Sequence, residues 1–144
     1  MVTCCDTSFL FSLYGNDVHT SRSLVHVQQS NKAIQLSILN QFELANAFRF
    51  AEFRQAIAPG TASIYQSHFD ADVAQGRLPI MVCNLATIIN QALFLSAKHT
   101  ITGGHRSFDI LQLATAIHLG ATEFLTFDAN QKRLAQNEGL TVPL

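Results

Sequence analysis

Two short strand-like runs, residues 2–5 and 123–127, each stop at an aspartate, Asp6 and Asp128, and a helix-like stretch follows each at once. Runs this short are buried strands rather than helices, because a helix needs roughly ten residues or more to show its period. The pattern continues along the chain. Residues 7–14 and 19–29 predict helices around the Gly15–Asn16 turn, and 33–36 a second strand. Ser37 predicts the cap of a helix to about Gln55, with Ile38, Phe42, Ala45 and Phe48 as its inward stripe. A helix is expected over 61–75, a strand over 78–83, and a helix from the Asn84 cap to Lys98. Ser107 is expected to cap a helix over 108–119 that Gly120 ends. A helix over 129–137 closes at Gly139, and 141–142 forms a last short strand. Strands alternating with helices predict an α/β layer fold with a mostly parallel sheet, in one domain spanning 1–144. Ligands of such sheets bind beyond the carboxyl ends of the strands, so parallel strands would put Asp6 and Asp128 on one rim.

The chain has 144 residues, 48% hydrophobic and only 13% charged, the composition of a globule with a sizeable core. The formal net charge is −1, and Lys132–Arg133 is the only adjacent basic pair. That excludes a broad basic stripe for gripping duplex nucleic acid. Any nucleic acid would be held locally, with bound cations supplying part of the positive charge. Cys4, Cys5 and Cys83 form no CxxC, which excludes a zinc ribbon or a thioredoxin-type motif. Cys4 and Cys5, adjacent on a strand, would face opposite sides. Their odd total favours a reducing, cytoplasmic compartment. Asp6 interrupts any signal-peptide core, and no apolar run reaches the ~20 residues of a membrane span.

With charge so sparse, an acid inside an apolar segment needs a reason. Four of the ten acids qualify: Asp6, Glu43, Asp109 and Asp128. Three have a structural alternative. Asp6 and Asp128 could cap the helices after them, Asp128 with Gln131 in a capping box, and Asp109 could sit in a first turn facing the helix dipole. Glu43 has none. It lies inside a helix between Phe42 and Leu44, and Leu39, Asn40, Asn46 and Ala47 offer no helix-local cation. A partly buried, unpaired carboxylate is costly unless it meets a cation. Four carboxylates on one rim would need a hard divalent ion, Mg²⁺ or Mn²⁺, with oxygen ligands and room for phosphate. Paired ions of this kind hydrolyse phosphodiesters.

Four segments carry a family resemblance. Val2–Leu10 with Asp6, Leu36–Leu44 with Glu43, Phe108–Ala116 with Asp109, and Gly120–Asp128 continued by Gln131–Ala135 resemble, in order, the motifs of the PIN domain. Within that family they resemble the VapC-type toxins of toxin–antitoxin pairs. The resemblance implies a three-layer α/β/α fold with a short, mostly parallel central sheet. It implies a Mg²⁺- or Mn²⁺-dependent endoribonuclease, often a homodimer, held in check by a cognate antitoxin protein. Asp6, Glu43, Asp109 and Asp128 match the acidic quartet, and Thr7, Ser8 and Thr126 match positions whose hydroxyls assist near the metal. Ser8 stands where many members have Asn. Arg106, just before Asp109, is a candidate RNA contact beside its plainer reading as a loop arginine.

Other readings fit less. Residues 119–126 resemble the end of a response-regulator receiver, but Asn84 stands where the phospho-accepting Asp belongs and Asp128 where a Lys is required. An HAD-like phosphatase needs Asp-x-Asp, and Ser8 takes the second position. A PIN fold that binds RNA or protein without cutting stays open as the alternative. The histidines form no HExxH, and His118 reads as a helix-end residue. Phe9, Phe11, Phe48, Phe50 and Phe53 read as core or dimer interface rather than as base-stacking platforms.

Overall fold

The computed structural model describes residues 1–144. Its element order is β1 (Thr3–Cys5), α1 (Thr7–Tyr14), α2 (Thr20–Gln29), α3 (Ile38–Phe53), α4 (Thr61–Ala74), α5 (Leu85–Gly103), α6 (Ser107–His118), β2 (Glu123–Leu125) and α7 (Ala129–Asn137). β1 and β2 pair in parallel, with Thr3 opposite Glu123 and Cys5 opposite Leu125. The other three expected strands shrink to single parallel bridges: Thr3 with Ile34, Leu36 with Ile80, and Glu123 with Thr141. Side chains and helix packing, rather than long ladders, hold those segments in place.

Adjacent strand residues part to opposite sides, as a two-residue period demands. Cys4 and Phe124 join a core with Leu95, Leu113 and Leu134 of α5, α6 and α7. Cys5 and Leu125 join the second core with Phe9, Leu44 and Phe69 of α1, α3 and α4. The sheet therefore lies between two helical layers, the three-layer α/β/α arrangement. Burial pushes the Cys4 thiol up to about 12 and the Cys5 thiol well above its ordinary value, so both are packing groups.

Two expectations need correction. The inward stripe of α3 is Asn40, Leu44, Phe48 and Ala51, whereas Ile38 and Phe42 are 53% and 63% exposed. The helix is turned to bring polar Asn40 inward, where its amide donates to Cys5 O and to Gln112. A polar group on the buried face broke the apolar pattern and shifted the expected stripe. Ser107 is already helical, so Arg106 holds the cap position of α6 and supplies no side-chain cap. The caps at Ser37 and Asn84 are present, the first as a reciprocal capping box with Asn40. Gly120 follows α6 at a φ of 76°, a conformation that glycine adopts without strain.

Candidate active site

The parallel pairing of β1 and β2 sets the geometry. Both strands end at the same edge, and Asp6 and Asp128 follow them there. Asp6 N donates to Leu125 O at 3.1 Å, extending the ladder by one bond. A cleft of about 760 Å³ opens at this edge, and Asp6, Glu43, Asp109 and Asp128 all line it. α3 brings Glu43 from one helical layer, and the first turn of α6 brings Asp109 from the other.

Each acid is held by its own contacts. Asp6 is only 4% exposed. Its Oδ1 accepts from Ser8 Oγ at 2.7 Å and Phe9 N at 3.1 Å, and its Oδ2 accepts from Thr126 Oγ1 at 2.5 Å. Burial pushes its carboxyl up to about 6; the bonds from Thr126, Ser8 and Phe9 N oppose that rise, and the charge of Asp109 adds to it. Glu43 Oε1 accepts from the Thr7 hydroxyl and from Gln112 Nε2. Asp128 Oδ1 accepts from Gln131 N at 2.8 Å. Asp109 Oδ2 meets Arg106 Nε at 3.1 Å, and its backbone carbonyl accepts from the buried Gln131 amide. Asp6 and Asp128 thus do serve as helix caps while also facing the cleft, so the two readings of these acids coexist. All three sequence-selected hydroxyls touch a site carboxylate or its neighbour: Thr7 reaches Glu43, and Ser8 and Thr126 reach Asp6.

A buried polar chain ties these elements together. Asn40 Nδ2 donates to Cys5 O at 3.1 Å and to Gln112 Oε1 at 2.9 Å, and Gln112 Nε2 donates to Glu43 Oε1 at 3.3 Å. Asn40 and Gln112 are 3% and 2% exposed. Sequence reasoning passed over both. Gln112 could have been found as the one polar residue among Ile110, Leu111, Leu113 and Ala114. Asp17, His19, Asn46 and Arg54 also line the cleft and had no comparable signal.

The donor set suits a hard divalent cation: four carboxylates, one of them buried without a cationic partner and raised by that burial. As the side chains stand, no three His, Cys, Asp or Glu residues are grouped closely enough to hold a metal ion. Asp109 is turned to Arg106, and Asp128 gives one oxygen to the first turn of its own helix. A bound ion would compete with the Arg106 contact, which is exposed and therefore weak.

The fold is a three-layer α/β/α arrangement with a cleft, at the carboxyl end of its parallel strand pair, that four acids from both helical layers and both strand ends line. The chain belongs to the PIN domain family, whose model matches residues 3–137. Its fold is similar to the crystal structure of VapBC2 from Rickettsia felis bound to a DNA fragment from their promoter. That likeness has a TM-score of 0.71 at 18% identity and covers 99% of this chain and 97% of the other. No curated protein matches the chain.

Proposed function

We propose that this PIN domain is a divalent-metal-dependent endoribonuclease and the toxin of a toxin–antitoxin pair, acting in the cytoplasm. The observation that carries the reading is Asp6, a buried carboxylate with no cation of its own, in a cleft with three further acids. Asp6, Asp109 and Asp128 would hold Mg²⁺ or Mn²⁺, with Glu43 completing the set. The chemistry such an ion supplies when bound is a more acidic water and neutralised phosphate charge. The chain's own residues do the positioning. Ser8 and Thr126 fix both oxygens of Asp6. Thr7 and Gln112 engage Glu43 Oε1 and leave Oε2 to orient a water or accept its proton. Arg106, 80% exposed beside Asp109, can exchange that carboxylate for an RNA phosphate.

A cognate antitoxin and a second copy of the chain are the proposed protein partners. Support for self-association comes from Leu85, Ile89 and Leu93, which repeat every four residues on α5 and are 43%, 48% and 65% exposed. Leu93→Glu is expected to shift a dimer to monomer in sedimentation, and an unchanged mass would remove α5 from the interface. No helix is long and apolar enough to cross a membrane.

The deciding experiment is cleavage of a mixed RNA substrate with Mn²⁺, with EDTA, and with the Asp6→Ala variant. Cleavage should need both metal and Asp6, with Asp6→Ala about a hundredfold slower or worse, since several kcal/mol of charge stabilisation are lost. Full activity in Asp6→Ala would overturn the site. Metal binding without cleavage of any RNA would favour the silent, partner-binding alternative.

A further inference from the structure

The cleft is wider than a metal site needs, and one wall is aromatic. Phe127, the residue before Asp128, stacks on buried Phe9 at 5.9 Å and 23°. His19 stacks on Phe127 at 4.4 Å and 5°. The three rings make a column that starts in the core and ends at the cleft, which both Phe127 and His19 line together with Asp6 and Asp128. The column is in register with the carboxylates: Phe127 N donates at 3.0 Å to Ser8 Oγ, and that hydroxyl donates to Asp6. His19 is fixed at the start of α2 by a backbone bond to Asp17 Oδ1 at 2.8 Å. Its ring nitrogens make no hydrogen bond to the protein, so the ring serves no polar structural role. Arg22, nearly one turn further along α2, is exposed and holds its guanidinium 5.9 Å from the Phe127 ring centre.

We propose that the Phe127–His19 pair is a stacking subsite for one unpaired nucleobase flanking the scissile phosphate, with Arg22 beside it for the adjoining phosphate. The proposal rests on the ribonuclease reading above and adds to it which residues of this chain hold a base beside the carboxylates. An unpaired base has a free π-face that continues the column, whereas a base inside a duplex does not. A flat, half-buried ring anchored on a second ring is already ordered, so little side-chain entropy is lost when the base arrives. Arg22 adds a cation where the backbone would leave the stack.

The test follows short single-stranded homopolymeric RNAs carrying 2-aminopurine, mixed rapidly with the full-length protein and Mn²⁺. Wild type is expected to quench the fluorophore and cut the strand. His19→Ala should lose the quench and raise KM by about fivefold to a hundredfold, the range that one stacked base represents. His19→Phe, which keeps the plane and removes the nitrogens, should retain both. The same sequence as a duplex should show no difference between wild type and His19→Ala. Wild-type quench and KM in His19→Ala would overturn the subsite alone, as would a wild type that cuts RNA without quenching. A wild type that neither binds nor cuts any RNA would overturn the ribonuclease reading and the subsite with it. Circular dichroism of His19→Ala separates a lost subsite from a lost fold, and in the second case the His19→Phe result decides.

Discussion

The two ends of the β1–β2 pair each bury an acid, and they treat it in opposite ways. At the amino end Glu123 is 8% exposed; it accepts from Thr3 and forms an ion pair with Lys32 at 3.3 Å. At the carboxyl end Asp6 is 4% exposed and is met only by hydroxyls and a backbone N–H. Hydrogen bonds orient a carboxylate without cancelling its charge, and Asp109 nearby raises the cost. One end is electrostatically closed within the chain. At the other, Arg106 pairs with Asp109, and no cation reaches Asp6. Burying an acid is thus compatible with either a structural or a functional role, and the presence of an internal counter-ion separates them.

The largest expected effect breaks this contrast by titrating Asp6. In the metal-free fold its carboxyl is raised from 3.8 to about 6. The folded state then holds a proton that the unfolded chain has released, so stability falls as pH rises from about 4 to about 6. The full difference is about 3 kcal/mol by linkage. Urea unfolding of wild type and Asp6→Asn across that window should show the slope in the first and its loss in the second. Mn²⁺ at a hundredfold excess over its Kd should return about 2.7 kcal/mol above pH 6 in wild type only. Equal slopes in the two proteins would mean that Asp6 is not the strained acid.

A middle-sized effect sharpens the account of the open end. Gln112→Ala removes the link between Asn40 and Glu43. Destabilisation of about 1–3 kcal/mol is expected, because the buried Asn40 amide loses a partner. RNA cleavage should fall about tenfold as Glu43 loses a support. Unaltered cleavage in a destabilised protein would show that Thr7 alone suffices to place Glu43.

The smallest effect lies at the closed end. Lys32→Ala should cost about 1 kcal/mol, since the lysine is 41% exposed and water can partly replace it. Cleavage should be unchanged. A loss of activity comparable to that of Gln112→Ala would mean that the two ends of the sheet are coupled.

Several features follow from local sequence chemistry. Apolar runs ending at Asp6 and Asp128, the caps at Ser37 and Asn84, and the positions of the helices are properties of neighbours along the chain, and each appears in the fold. Glu43 was legible as an acid without a helix-local cation for the same reason. Tertiary structure decided the rest. The segments around Ile34, Ile80 and Thr141 are reduced to single bridges, because ladder length depends on how the helices pack over the sheet. The face of α3 was set by Asn40 meeting Gln112, two residues 72 positions apart. The aromatic column of Phe9, Phe127 and His19 likewise joins three separate segments. Local pattern states which residues prefer to be buried or to start a helix. Which acid receives a counter-ion, and which ring lies over which, is fixed only when distant segments meet. The sequence alone therefore determined the candidate acids of the site, and the packed chain determined that Glu123 meets Lys32 while Asp6 meets only hydroxyls and a backbone N–H.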